Sequence, residues 1–292
     1  MGTLTGFEHI VRENEPLAPY TWFRIGGPAE YLAEPTSEEE LAALVGRCRE
    51  SDIPVRILGG GSNLLIRDQG VPGVVIHLAA AIFSAIKVQD NRVEAGGGAQ
   101  LSHLISTTVR EGLAGLEYLV GIPGTVGGAL HGNAGTENHD IGQWTAQATV
   151  LGRNGNVIHH DLEDLRFAYR YSSLDELVVL HAQFKLEPDD QLELTKRMQT
   201  LWIVKKSKQP SNGENIGRIF RNPSGIRAAD LIEQAGLRGA KVGGAEISDR
   251  HANFIVVQPG ASSEHVIRLI ELMRTQVQDR VGVELATEIE IW

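Results

Sequence analysis

Cysteine is nearly absent: Cys48 is the only one in the chain, so no intramolecular disulfide can form. There is no apolar run of 18 residues and no secretory opening pattern, so no membrane insertion and a cytoplasmic location are expected. Positive charge is also scarce. Lys and Arg number 27 against 37 Asp and Glu, a net charge of −10, which argues against nucleic-acid binding and attraction to anionic membranes. A phosphate ligand remains compatible, because backbone N–H groups and a few placed arginines bind anions within acidic proteins. Metal-ligand spacing is lacking too: His103, His131, His139, His159, His160 and His251 pair with neither cysteines nor carboxylates in such a pattern, so no metal site is expected.

Both standard nucleotide motifs are missing. Gly59-Gly60-Gly61-Ser62-Asn63-Leu64-Leu65 lacks the G-x-G-x-x-G spacing and leads into no helical pattern. Gly96-Gly97-Gly98-Ala99-Gln100-Leu101 precedes a helix but has leucine at the third glycine position, and no Walker A lysine follows any glycine run.

The 292 residues suffice for two domains or three small ones, and 42% hydrophobic with 22% charged content suits globular chains with a sizeable core. Ser37 to Glu40 reads as a capping box opening a helix through about Glu50, with Leu41, Leu44 and Val45 on its apolar face. Cys48 falls in that pattern and is expected to fill core. Residues 54–58 and 74–78 read as strands, a helix follows near Leu101, and further strands fit 148–151, 157–158 and 178–186. After Pro188 a charged helical stretch runs to Lys208, then the polar loop Gln209-Pro-Ser-Asn-Gly213 marks a hinge or domain edge. A helix near Arg227–Ala235, a strand at 253–257 and a helix at 264–281 complete a second α/β unit, the last helix presenting Val266, Leu269, Ile270, Met273 and Val277 on one face.

Glycine is what the chain has in excess: 33 residues, clustered at Gly26-Gly27, Gly59–Gly61, Gly96–Gly98 and Gly121–Gly128. Clustering of this kind suggests a ligand site lined by backbone. Leu58–Leu65 and Gly121–Gly128 each offer consecutive N–H groups for an anion nest, with hydroxyls from Ser62 and Thr125. Two such loops suit the two phosphates of one dinucleotide, although either alone also reads as a tight turn.

Seven segments, taken in order, carry a resemblance. They are Thr21-Trp-Phe-Arg-Ile-Gly-Gly27, the Gly-Gly-Gly-Ser-Asn loop, Gly121-Ile-Pro-Gly-Thr-Val-Gly-Gly-Ala129, Gly132-Asn-Ala-Gly135, Tyr169-Arg-Tyr-Ser172, Phe220-Arg-Asn-Pro223 and Gly243–Phe254. From about residue 16 onward the chain resembles the UDP-N-acetylenolpyruvoylglucosamine reductases, in their shorter class. The resemblance implies an α+β fold. An FAD-binding half of the vanillyl-alcohol-oxidase type would span 1–188, in subdomains of about 1–80 and 81–188. An α/β substrate-binding domain would span 189–292, its last residues returning to the first subdomain.

The resemblance further implies non-covalent FAD, NADPH as co-substrate and a UDP-sugar substrate whose enolpyruvyl group takes hydride at C3 and a proton at C2. It assigns FAD to Gly59, Gly60, Gly61, Ser62, Asn63, Leu64, Ile122, Pro123, Gly124, Thr125, Gly127, Gly128 and Ala129. Arg170 and Glu288 match the catalytic arginine and glutamate, and Arg170, Arg221, Asn222 and Glu288 match substrate-facing positions. Alternation on a strand would put Glu288 and Glu290 on one face, so only the motif separates them.

The third catalytic position departs from the family. Where the family has a proton-donating serine, Gly217-Arg218-Ile219-Phe220 has Arg218. A guanidinium, with a pKa above about 12, is a poor acid at neutral pH. Three readings stay open: water oriented by Arg218 or Glu288 protonates C2; Ser211 or Ser224 substitutes; or the chain keeps the fold and flavin with a different substrate or no turnover, as a weak or inactive flavin-binding paralogue. An oxidase of the wider flavin fold is a more remote alternative.

Overall fold

The computed structural model describes residues 4–210, 216–223 and 225–292. Ser211 and Ser224, the alternative donors, lie outside the described residues. The chain forms two compact units, neither continuous in sequence. One gathers Met1–Asn14, Glu30–Gly60 and Pro72–Lys205; the other gathers Glu15–Ala29, Gly61–Val71 and Lys206–Trp292.

In the first unit, helix α1 (Glu38–Glu50) begins where Ser37 Oγ accepts the Glu40 N–H at 3.2 Å. The expected capping box is only half made. Glu40 turns its carboxylate to the N–H and hydroxyl of Thr36 (2.7 and 2.9 Å), one residue before the cap. Leu41, Leu44, Val45 and Cys48 pack on Val74 and Ile76. Those two belong to a four-stranded sheet ordered Val11–Pro16, Pro28–Ala33, Val71–His77, Val55–Leu58, the last two strands parallel. Burial pushes the Cys48 thiol up to about 11, which makes it an unreactive core residue.

A five-stranded antiparallel sheet follows, ordered Val157–Asp161, Thr145–Leu151, Val178–Lys185, Arg92–Gly96, Ile86–Gln89. Along Val178–Lys185 the buried residues alternate as Val178, Leu180, Ala182 and Phe184, the period of a strand with one face in the core. Helices α2 (Leu101–Arg110) and α3 (Val126–His131) supply Leu104, Ile105, Val126 and Leu130 to that core. Helix α3 lies over the glycine run that sequence suggested only as a loop. Helix α4 (Gln191–Lys208) buries Leu194 alone among its described residues. It is held instead by Arg197, whose guanidinium donates at 2.8 Å to the fully buried Glu117, a carboxylate that also accepts the Gly115 N–H at 2.6 Å.

In the second unit, strands Ile216–Arg218, Phe254–Val257, Ala245–Ile247 and Lys241–Val242 form an antiparallel sheet in that order. Helices α5 (Ala228–Gln234) and α6 (Ser263–Val281) share its core, and all five apolar positions read on α6 are buried. Asp68 accepts the Ser263 N–H at 3.1 Å and so adds a carboxylate to the N-terminus of α6, where the helix dipole favours negative charge. The end of the chain forms strand Glu290–Ile291, parallel to Leu64–Leu65, and the Arg67 N–H donates to the Trp292 carbonyl at 2.9 Å.

Phe23, from the Thr21–Gly27 segment, is 1% exposed and lies in this same core. A Cβ added at Gly217 would stand 2.5 Å from Phe23 Cε2. The Gly217→Ala variant is therefore expected to lose about 1–3 kcal/mol by overpacking, read as a lower urea midpoint with an unchanged slope.

Candidate active site

The strand Val55–Leu58 ends in the loop Gly59-Gly60-Gly61-Ser62-Asn63. Among the described residues, no N–H from Gly59 through Asn63 donates to another backbone or side-chain group. Five adjacent donors left for a ligand or solvent make an anion-binding edge. The second loop has fewer than the sequence suggested. The N–H of Ile122 is taken by Leu119, Val126 by Ala99, Gly127 by Gly97 and Ala129 by Thr125 (2.8–3.0 Å). Gly128 donates at 3.4 Å to Thr125 Oγ1, which caps α3. Helix formation and the docking of α3 on the 97–99 turn thus consume most of the run. The N–H groups of Gly124 and Thr125 remain without a partner among the described residues.

The two loops touch through backbone. A Cβ at Gly60 would lie 2.7 Å from Gly124 Cα, and one at Gly59 would lie 2.9 Å from Thr125 Oγ1. Side chains at Gly59 and Gly60 would fill this approach. Within the first unit, the N–H groups of Gly59, Gly60, Gly124 and Thr125 on two glycine-lined backbones fit the donor requirements of a dinucleotide's pyrophosphate.

Arg170 occupies the tip of a two-residue hairpin between strands Phe167–Ala168 and Tyr171–Ser172. Its φ is +54°, in the left-handed region that L-residues other than glycine enter at a penalty of about 1–2 kcal/mol. The hairpin is held against relaxing. Ser172 Oγ donates to the His131 carbonyl at 2.9 Å, and Asn133 Nδ2 donates to the Ala168 carbonyl at 2.8 Å. Asn133 is itself buried, its Oδ1 accepting the Gly142 N–H at 3.1 Å. The Arg170 guanidinium lies 5.6 Å from the Tyr169 ring centroid, within cation–π range. Strain retained by surrounding bonds is a mark of functional positions.

In the second unit, Arg218 Nε stands 3.4 Å from Glu288 Oε2, with the side chains 30% and 15% exposed. Glu288 and Glu290 do not share a surroundings, contrary to the alternation argument. The N–H groups of Glu288 and Ile289 both point to the Ile219 carbonyl (2.7 and 3.3 Å), whereas the Glu290 N–H turns to the Asn63 carbonyl at 3.0 Å. The chain changes partner between 289 and 290, so the period of two breaks there. Glu290 is exposed and accepts from Trp292 Nε1 at 3.4 Å.

Asn253 places this segment. Its Oδ1 accepts the Phe220 N–H at 2.9 Å and its Nδ2 donates to the Phe220 carbonyl at 2.8 Å. An amide inside the apolar run 252–257 is the signal that points to it, since a buried amide has to satisfy both ends. Arg221 is exposed, its backbone N–H on the Ala286 carbonyl at 2.9 Å. Asn222 Oδ1 accepts the Ala228 N–H at 3.0 Å, so its carbonyl serves to cap α5. His251 packs edge-on against Phe254, and its Nδ1 accepts the Asn253 N–H at 3.3 Å. Burial, then the Arg218 charge, hold its pKa below the usual histidine value, so the ring is neutral at pH 7.

Among the described residues no cluster of three His, Cys, Asp or Glu could hold a metal ion, and no helix is long and apolar enough to cross a membrane.

Residues 29–161 match the model of an FAD binding domain, and residues 209–292 match the C-terminal domain of UDP-N-acetylenolpyruvoylglucosamine reductase. The chain is 39% identical to the UDP-N-acetylenolpyruvoylglucosamine reductase of Rhodopirellula baltica over 97% of its own length and 93% of the relative's. It is 40% identical to that of Heliobacterium modesticaldum, over 96% and 90%. The crystal structure of UDP-N-acetylenolpyruvylglucosamine reductase from Thermus caldophilus superposes with a TM-score of 0.82 and 35% identity, over 97% of this chain and 99% of that one. Both glycine loops lie within the stretch that matches an FAD binding domain, a fold of the vanillyl-alcohol-oxidase type, and the chain, an oxidoreductase, belongs to the UDP-N-acetylenolpyruvoylglucosamine reductase family.

Proposed function

We propose that this chain reduces UDP-N-acetylglucosamine enolpyruvate to UDP-N-acetylmuramate for peptidoglycan precursor synthesis, with NADPH as co-substrate and the cytoplasm as its compartment. In this reading FAD is bound without a covalent link, and Gly59–Leu64 with Ile122, Pro123, Gly124, Thr125, Gly127, Gly128 and Ala129 line its site. The backbone donors of Gly59–Asn63, Gly124 and Thr125 would hold the pyrophosphate, with Ser62 adding its hydroxyl. When bound, the flavin supplies hydride transfer, accepting hydride from NADPH and passing it to C3 of the enolpyruvyl group.

The chain's own residues then have to hold the substrate and manage charge. Arg170 fits the enolpyruvyl carboxylate, since a planar fork binds a carboxylate at two points and stays charged as negative charge builds beside it. Arg221, exposed and next to the ordered Phe220 segment, suits the diphosphate of UDP. Asn222, which spends its carbonyl on α5, contributes through its placement beside Arg221.

One observation carries the finer assignment at C2, the Arg218–Glu288 ion pair at 3.4 Å. Arg218 cannot serve as the acid, but a cation and a carboxylate fixed on adjacent backbone segments can orient a water between a donor and an acceptor. We assign the C2 proton to such a water. Arg218 favours one rival as well, a flavin-binding paralogue that no longer turns over.

The deciding experiment is anaerobic reoxidation of the reduced flavin by the enolpyruvyl substrate in a single turnover. Wild type is expected to reoxidise, and Glu288→Gln to slow that step by about 10²–10⁴-fold. Arg218→Ala should also be slow, and Arg218→Ser should recover the wild-type rate or exceed it by restoring a hydroxyl. Wild type that stays reduced while Arg218→Ser reoxidises would establish the rival instead. Arg170→Lys, which keeps the charge and loses the fork, is expected to lower kcat by about 10²-fold with flavin content unchanged. The cofactor assignment has its own test. Gly60→Val should purify with little or no FAD and a retained thermal transition, and a full flavin complement would refute the assignment.

A further inference from the structure

We propose that Asn63 is a positioning residue that couples occupancy of the glycine loop to the placement of Glu288. The inference rests on the reductase reading for its catalytic half, and on hydrogen-bond geometry for the coupling.

Asn63 ends the row of N–H donors, yet its other polar groups turn to a segment 225 residues away in sequence. Its side-chain amide donates to the Glu288 carbonyl at 3.0 Å, and its own carbonyl accepts the Glu290 N–H at 3.0 Å. The two bonds bracket Ile289, which is 4% exposed and anchored in the core. From the opposite side, the Glu288 N–H donates to the Ile219 carbonyl at 2.7 Å, the residue after Arg218. Both backbone groups of Glu288 are therefore fixed, one by the Arg218 strand and one by the loop.

The loop end is equally constrained. The Trp22 N–H donates to the Gly61 carbonyl at 3.0 Å, and a side chain at Gly61, where φ is +61°, would run into the Tyr20 carbonyl. A pyrophosphate drawn onto the N–H groups of Gly61, Ser62 and Asn63 meets a segment tied to Trp22 at one end and to Glu288 and Glu290 at the other. Fixing Asn63 there fixes the Glu288 carbonyl it holds. Positioning matters here because a misplacement of about 1 Å costs about 10²-fold in rate.

The test uses hydrogen exchange and half-reaction kinetics together. In wild type, adding FAD to the stripped protein is expected to slow amide exchange at Glu288 and Glu290 about tenfold or more. Asn63→Ala, reconstituted with excess FAD, should lose that protection and reoxidise with substrate about 10–100-fold more slowly per bound flavin. Asn63→Asp should behave alike, since a carboxylate cannot donate to the carbonyl. Equal exchange in wild type with and without FAD would overturn the coupling, and this comparison needs no variant to fold. Loss of FAD from Asn63→Ala in step with its loss of reoxidation would make Asn63 a plain cofactor ligand and also overturn it. Full protection in a wild type that the substrate cannot reoxidise would defeat the reductase reading and leave the coupling supported.

Discussion

Backbone N–H groups left without partners are the constraint on which this fold turns. A buried donor with no acceptor is destabilising by an amount comparable to a lost hydrogen bond, so most chains leave few. Among the described residues five adjacent N–H groups, from Gly59 to Asn63, donate to no other group and the Gly124–Thr125 pair adds two; Asn63 is exposed and the rest are half-buried or buried. Glycine allows the two backbones to approach at Gly60 and Gly124 without interposed side chains. The surrounding structure then has to hold both loops open. Helix α3 and the 97–99 turn take the N–H groups of Val126, Gly127 and Ala129, and the Gly61 carbonyl accepts from Trp22.

Around that constraint, asparagines do the positioning. Asn133 fixes the hairpin that holds Arg170 at positive φ, Asn253 fixes both backbone groups of Phe220, and Asn63 brackets Ile289. An amide donates and accepts at once and carries no charge to desolvate, so it can bridge two backbone segments where a carboxylate or a lysine would leave one side unmatched. Where the resemblance leads one to expect a serine, Arg218 stands paired to the Glu288 carboxylate.

Much of this was legible beforehand. The apolar face of α6 was readable because one stripe of a surface helix must be buried, and the alternation of 178–185 because a strand has two faces. The motif order identified the family. Three things were hidden, each for a physical reason. Helix α3 starts in glycines, whose low helix propensity is overridden by the Thr125 cap and docking on the 97–99 turn. Glu288 and Glu290 part company because hydrogen-bond partners change between them, which periodicity cannot register. Membership of residues 15–29 and 61–71 in the second unit depends on contacts such as Phe23 against the C-terminal core, and these leave no local trace.

The pairing of Leu64–Leu65 with Glu290–Ile291 also sets an order of events during synthesis. A ribosome exposes the first of these strands long before it makes the second, and the loop to be closed spans more than 200 residues. Until then Leu64 and Leu65, both destined for burial, present an unpaired edge in a nascent chain. The second unit cannot be finished before Glu290–Ile291 has been made and has reached back to residue 64.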